Sequence, residues 1–183
     1  MDEEIKTANP LGYQKISKLL RSLAIPAIIA NLVNALYNVV DQIFIGQGIV
    51  YLGNAATNIA FPITTICLAI GLTLGIGGAS NFNLELGKGN PEKSKHTAGT
   101  AASTLIIIGI ILCISIRIFL EPLMISFGAT DKILQYAMEY TGITSYGIPF
   151  LLFSIGVNPL VRADGNAIYS MMAIIVGAVL NTI

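Results

Sequence analysis

The spacing of the charged residues constrains this chain more than any other feature, because it leaves five long stretches without a charge. These stretches cover residues 23–40, 42–84, 97–116, 140–161 and 165–183, and they are 18, 43, 20, 22 and 19 residues long. A helix needs about 20 apolar residues to cross a hydrocarbon core of about 30 Å. Each stretch therefore predicts at least one membrane crossing.

The composition agrees with a chain whose main solvent is lipid. Hydrophobic residues make up 54% of the 183 residues and charged residues only 11%, whereas about a quarter of the residues of a soluble domain are charged. Ten basic and ten acidic side chains cancel, so no basic surface points to nucleic acid. We expect membrane lipid as a partner and no nucleic acid.

The second charge-free stretch is too long for one crossing and too long for a loop. Three glycines and an asparagine interrupt it between residues 46 and 54, so we predict a turn there. The prediction is an all-α fold, a polytopic transmembrane helix bundle that follows a cytoplasmic segment at residues 1–15. Its five spans cover about 16–45, 55–81, 97–119, 133–158 and 164–183.

The lysines and arginines predict the orientation of the bundle. Eight of them fall on the side of the membrane that holds the N-terminus, whereas only Arg117 and Lys132 fall on the other side. Positive charge is concentrated in cytoplasmic loops. We therefore expect a multi-pass protein of the cell (plasma) membrane with a cytoplasmic N-terminus.

Residues for the common catalytic and metal sites are scarce. His96 is the single histidine and lies in a short hydrophilic loop, so neither a metal site nor a histidine-based catalytic site is expected. The sequence has no Walker-type glycine loop. Cys67 and Cys113 lie inside predicted spans, where we interpret them as small apolar side chains. We expect no enzyme activity, no metal and no organic cofactor.

The first span carries the most informative pattern. At 100° per residue, Asn31, Asn34, Asn38 and Asp41 fall within one arc of about 80°, which we call the polar arc. The opposite face, between about 80° and 200° from Asn31, carries only apolar side chains. Amide and carboxyl groups facing acyl chains would cost free energy, so the polar arc must face protein or a water-filled cavity.

Asp41 is the main functional candidate because it is the most deeply placed ionisable residue. A carboxyl group that alternates between protonated and ionised forms could carry a proton, and the neighbouring amides can hydrogen-bond either form. Carboxylate and amide oxygens also suit a sodium ion, so the coupling ion stays open between H⁺ and Na⁺. A structural carboxylate at a helix end is the alternative.

Further polar residues could line the same cavity. On the second and fourth spans these are Asn58, Tyr140, Tyr146 and Asn158. Pro26 removes one backbone hydrogen bond from the first span and permits a kink, so we consider it a candidate hinge. Gly71, Gly75 and Ala79 form a stripe of small residues that favours close helix packing.

Three segments together resemble the multidrug and toxic compound extrusion (MATE) family. They are VDQIFIGQGIVYLGNAATNIAFPI at residues 40–63, ELGKGNPEKS at 85–94, and LVRADGNAIYSMM at 160–172 before an apolar helix that ends in Asn181. The resemblance implies a fold of twelve helices in two lobes. It also implies secondary active efflux of cationic or amphipathic drugs by antiport against H⁺ or Na⁺.

The resemblance assigns roles to individual residues. It makes Asp41 the ion-coupling carboxylate, Asn181 the helix 5 asparagine beside it, and Pro26 a kink that responds to its protonation. Many members carry a second carboxylate four residues after this asparagine, which would be position 185. The chain would therefore hold five of the first six helices, end before helix 6 and lack the C-terminal half.

Two other functions stay open. A flippase of lipid-linked oligosaccharides would share the fold but should carry cationic residues in its cavity, whereas the polar arc carries a carboxylate. A non-transporting structural membrane subunit would tolerate substitution of Asp41. The cargo is expected to be a cationic or amphipathic small molecule.

Overall fold

The computed structural model describes residues 14–48 and 50–182, together with their side chains except at 41, 45–48, 50–52, 181 and 182. Within this part of the chain the elements are helices, with no strand. In order they are α1 (Ile16–Gly48), α2 (Val50–Gly87), α3 (Pro91–Ile118), α4 (Leu120–Ser126), α5 (Asp131–Thr144), a 3-10 turn (Ser145–Gly147), α6 (Ile148–Ala163) and α7 (Ala167–Thr182).

Four segments are long and apolar enough to cross a membrane: 16–44, 53–87, 91–118 and 131–163, the last formed by α5, the 3-10 turn and α6. The apolar part of α7 is shorter and covers residues 167–180. Such helices satisfy most of their backbone groups internally, as a chain in hydrocarbon requires. The fold is the all-α, multi-pass bundle expected from the charge-free stretches.

Helices α2, α3 and α6 pack most closely, and glycines mark their contacts. A Cβ on Gly75 of α2 would lie 2.7 Å from the Cα of Gly156 on α6, and one on Gly109 of α3 would lie 2.6 Å from the Cα of Pro149. Small residues permit such approaches between membrane helices. Helices α2 and α6 run parallel, because Gly71 lies beside Ile155 and Gly75, one turn later, lies beside Gly156.

Helices α1 and α7 form a second packed pair. Helix α1 contacts α7 extensively and α2 less so, while α7 also contacts α6. The packed strip of α1 includes Pro26 and Ala30, which are buried. The described bundle therefore consists of a block of α2, α3, α5 and α6 with the α1–α7 pair attached to it.

A break divides the fourth long segment between α5 and α6. Pro149 lies in the first turn of α6, and its missing N–H cannot donate to the carbonyl of Ser145 four residues earlier. The Ser145 carbonyl accepts instead from the N–H of Ile148, which gives the 3-10 turn. Leu152 and Met124 are fully buried beside this break, in the main apolar cluster.

The helices differ in detail from the predicted spans. Helix α1 continues to Gly48, and α2 begins at Val50 and continues to Gly87. Backbone groups that lack water must bond to each other, which favours a helix even at glycine and asparagine. A turn was predicted at 46–54, but residues 46–48 and 50–54 are helical, and Ile49 between them lies outside the described residues. The short helix α4, which packs against α5, has no counterpart among the predicted spans.

Candidate functional site

The described part of the polar arc is open to the surroundings of the bundle. Asn31, Asn34 and Asn38 of α1 are all exposed. The Asn38 amide nitrogen donates to the Asn34 carbonyl oxygen at 2.8 Å, so this side chain is partly satisfied by its own helix. The three amides form a polar stripe along a membrane-spanning helix and lie beside its packed strip.

The neighbouring face of α1 is apolar and equally open. Leu32, Leu36, Val39 and Ile43 are each more than half exposed. All four belong to the apolar face predicted opposite the polar arc. Such a face suits lipid or another helix.

Asp41 and Asn181 belong to the paired helices α1 and α7. Their side chains lie outside the described residues, so the predicted proximity of the two groups stays a prediction. Pro26 is buried inside α1, which is helical on both sides of it from Ile16 to Gly48. Helix α1 therefore passes the proline without a break.

Asn58 is exposed on α2. The packed strip of α2 contains Ala56, Ala60, Ile63 and Cys67, and Asn58 lies about 160° around the helix from Ala60 at 100° per residue. Its side chain is thus on the side of α2 that does not pack into the block.

A groove of about 490 Å³ lies between α2 and the break that joins α5 to α6. Tyr140, one of the predicted cavity residues, lines it. We call this cavity the break groove, and its lining residues are Ala60, Ile63, Thr64, Cys67, Tyr140, Thr141, Ile143, Thr144, Ser145, Gly147, Ile148 and Leu151. None of them is charged and none belongs to α1 or α7.

Three hydroxyl groups in the break groove already have a partner in the protein. Thr144 Oγ1 donates to the Tyr140 carbonyl at 2.9 Å, and Ser145 Oγ donates to the Gly142 carbonyl at 2.8 Å. Thr141 Oγ1 contacts Met124 Sδ at 3.4 Å. The groove therefore offers apolar and aromatic surface rather than free charge.

Two other predicted cavity residues make contacts elsewhere. Tyr146 carries the guanidinium of Arg117 over its ring, 4.1 Å from the centroid. The Asn158 carboxamide oxygen accepts from Ser170 Oγ, which in turn accepts from Arg162 Nε at 3.0 Å. The structure thus does not bring Tyr146 and Asn158 into the break groove with Tyr140.

The polar contacts of Arg117 and Ser170 were not predicted from the sequence, for different reasons. Arg117 stands out as a charge at the end of an apolar stretch, but its partner at Gly142 is a backbone carbonyl, which has no sequence signal. Ser170 resembles any other small residue of an apolar helix. Its role depends on the antiparallel register of α6 and α7, which brings Asn158 and Arg162 to it.

A buried carboxylate lies at the connection between α2 and α3. Glu85 is 4% exposed, and its oxygens lie 3.0 Å from Lys88 Nζ and 3.6 Å from Lys93 Nζ. The Asn90 amide donates to it at 3.3 Å. No group of three or more metal-ligating side chains occurs in the described residues.

Known proteins that this chain resembles are named as export or transport proteins. A protein-family model described as MatE matches residues 26–183. The multidrug export protein MepA of Staphylococcus haemolyticus is 24% identical over 172 residues, which are 92% of this chain and 37% of that protein. The FAD transporter of Shewanella oneidensis is 27% identical over 182 residues, which are 98% of this chain and 39% of that protein.

Solved structures share the fold. A structure described as the MATE multidrug transporter DinF-BH in a complex is 41% identical, with a TM-score of 0.86 over 91% of this chain and 37% of that one. A structure described as MATE in complex with MaD3S is 27% identical, with a TM-score of 0.84 over 90% of this chain and 37% of that one. The chain thus spans less than two-fifths of the length of these relatives.

Proposed function

Because the chain belongs to the MatE family, we propose that it is the N-terminal part of a secondary active exporter, an antiporter of cationic or amphipathic small molecules against H⁺ or Na⁺. The observation that carries the proposal is the open stripe of Asn31, Asn34 and Asn38 on a membrane-spanning helix. Amide groups that face acyl chains cost free energy. Such a stripe therefore suits a water-filled cavity through which polar cargo passes.

The coupling role falls to Asp41 in this proposal. It continues the polar arc of α1 by helical periodicity, and an intramembrane carboxylate is a functional residue by default. Asn181 is proposed as its amide neighbour, because α1 and α7 pack against each other. Pro26 is proposed as the hinge, since proline removes a hydrogen bond that would otherwise resist bending of α1.

The cavity is proposed to be completed by a second set of helices. This proposal rests on the relatives, of which the chain spans only 37% to 39%. Transporters of this type alternate the access of a central site between two halves of the molecule. The open polar face of α1, together with Asn58 of α2, is proposed to face that site. We further propose a location in the cell membrane with a cytoplasmic N-terminus.

The decisive variant is Asp41→Asn in the whole transporter. It keeps the size of the side chain but cannot ionise, so we expect normal expression and loss of ethidium efflux driven by imposed H⁺ or Na⁺ gradients. Asp131→Asn, at an exposed position in the first turn of α5, is the matched control and should transport normally. Gradient-dependent efflux retained by Asp41→Asn would refute the coupling role.

A flavin dinucleotide is a second candidate cargo, because the FAD transporter of Shewanella oneidensis is among the relatives. The described part of the polar arc carries amides without a cation, which fits a cationic cargo better than a phosphate-bearing one. Efflux of FAD measured beside efflux of ethidium, in the same vesicles, separates the two cargo classes.

A further inference from the structure

The break between α5 and α6 is held by a residue from a third helix. Arg117 lies in the last turn of α3, and its Nη1 donates to the Gly142 carbonyl at 2.9 Å. Its guanidinium also covers the Tyr146 ring at 4.1 Å. Gly142 precedes the break and Tyr146 lies within it, so Arg117 connects α3 to both.

The Gly142 carbonyl, just before the break, accepts two side-chain hydrogen bonds. The 3-10 turn at Ser145–Gly147 interrupts the regular α-helical pattern just after this residue. Carbonyl groups near a helix break need partners when the surroundings are apolar. Ser145 Oγ and Arg117 Nη1 both donate to this oxygen, and the arginine bond carries the charge.

The guanidinium has no competing acidic partner nearby in the described residues. The ion pairs found there join Glu85 to Lys88 and Lys93, and Glu92 to Lys95. Arg117 therefore makes its described polar contacts with the break itself. A planar cation that binds a carbonyl and stacks on a ring fixes both direction and distance.

The break forms most of the wall of the break groove. Eight of the twelve lining residues lie between Tyr140 and Leu151, on both sides of the 3-10 turn, and the other four belong to α2. A movement of the break relative to α2 would therefore change the width of the groove directly. Cys67 lines the groove from α2 and is 1% exposed, so it reports such a movement.

We propose that Arg117 is a positioning residue for the break groove: it holds the α5–α6 break against the end of α3 and so keeps the groove at the width that accepts the uncharged aromatic part of a ligand. The role in ligand binding rests on the proposed function, whereas the position of the break rests on the contacts of Arg117 alone.

The test of positioning is the rate at which N-ethylmaleimide alkylates Cys67 in the membrane-embedded transporter carrying Cys113→Ser. Arg117→Gln should raise this rate roughly tenfold, as expected for the loss of one charge-assisted hydrogen bond. Arg117→Lys keeps a cation and one donor and should give a smaller increase. Lys132→Gln, an exposed cation on α5 without these contacts, should leave the rate unchanged.

The Tyr146 variants test the same contact from the other side. Tyr146→Phe retains the ring under the guanidinium and should alkylate at the original rate, whereas Tyr146→Leu should alkylate faster. Equal rates for Arg117→Gln and the unsubstituted protein would overturn the proposal. If Arg117→Gln does not fold, equal rates for Tyr146→Leu and Tyr146→Phe overturn it instead.

Transport provides a separate measurement. Arg117→Gln should raise KM for ethidium about threefold or more while Vmax changes little, because the groove is altered and the coupling residue is not. A lower Vmax with unchanged KM would contradict the ligand part of the proposal. Failure of the proposed function would remove transport from the unsubstituted protein as well, and the alkylation rates would still decide the role of Arg117.

Discussion

The Cα of Pro149 lies too close to Gly109 to leave room for a side chain at position 109. A Cβ on Gly109 would come within 2.6 Å of that atom and within 3.3 Å of the Pro149 side chain. Pro149 also causes the 3-10 turn just before it, because it has no N–H for the Ser145 carbonyl. The same close contact therefore joins α3 to α6 and sets the position of the break along α3.

Substitution of Gly109 should therefore destabilise the bundle. Gly109→Val forces α3 away from α6, and overpacking of this kind costs about 1–3 kcal/mol. The measurement is the midpoint of thermal unfolding in detergent, followed by the loss of monodisperse protein, and we expect it to fall.

Gly99→Ala is the control for this prediction. Gly99 lies on the same helix, but a Cβ there would meet no atom within 4 Å. The midpoint should stay the same or rise slightly, since alanine favours a helix over glycine. Equal midpoints for Gly109→Val and Gly99→Ala would show that the helices separate without cost.

Ser170→Ala should also lower the stability. Ser170 is 2% exposed, and its hydroxyl joins Arg162 to Asn158. Removal of the hydroxyl leaves Arg162 Nε and Asn158 Oδ1 without this partner, which lowers the free energy of unfolding by about 1–3 kcal/mol. The unfolding midpoint of Ser126→Ala, an exposed serine whose hydroxyl bonds only within its own helix, should be unchanged. A normal midpoint for Ser170→Ala would mean that water or other groups replace the hydroxyl.

Glu85→Gln should loosen the connection between α2 and α3. Glutamine can still accept a hydrogen bond, but it no longer attracts Lys88 and Lys93, so trypsin should cleave after these lysines faster in solubilised protein. Glu92→Gln removes a pair with Lys95 in which both side chains are largely exposed, and exposed pairs contribute little. Cleavage at the same rate in both variants would show that the Glu85 pairs do not order the connection.

The orientation predicts which loops an impermeant reagent reaches. In a protein carrying Cys67→Ser and Cys113→Ser, a membrane-impermeant maleimide applied to intact cells should label Thr130→Cys but spare Glu92→Cys. The reason is the excess of lysine and arginine on the side that holds position 92. The reverse labelling pattern would invert the topology.

The presence of long helices was predictable from the sequence, because the free-energy cost of placing a charge in lipid depends on each residue and not on its distant neighbours. Charge-free stretches predict where helices must be, whatever packs against them. Helix ends were less predictable: α3 begins at Pro91, six residues before the predicted span, because Glu92, Lys93 and Lys95 continue the helix into the polar region. No hydropathy pattern separates those residues from a loop.

The position of a candidate site residue was predictable from the sequence only where it depends on the periodicity of a single helix. The polar arc follows from the periodicity of α1, and Asn31, Asn34 and Asn38 are exposed on that helix. That these amides line a cavity stays a prediction. Asn158 is likewise a polar residue within an apolar stretch, but its side chain bonds to Ser170 of the next helix. The register between two helices depends on the packing of many side chains, and a single sequence does not reveal it.

The pairing of α1 with α7 has a consequence for the synthesis of the protein. About 120 residues separate the end of α1 from the start of its main neighbour in the described bundle. At about 5 to 20 residues per second, the ribosome needs roughly 6 to 24 s to make that interval. During this time α1 lies in the membrane without its main packing partner, so a chaperone of membrane insertion that shelters unpacked helices has its longest task at this helix.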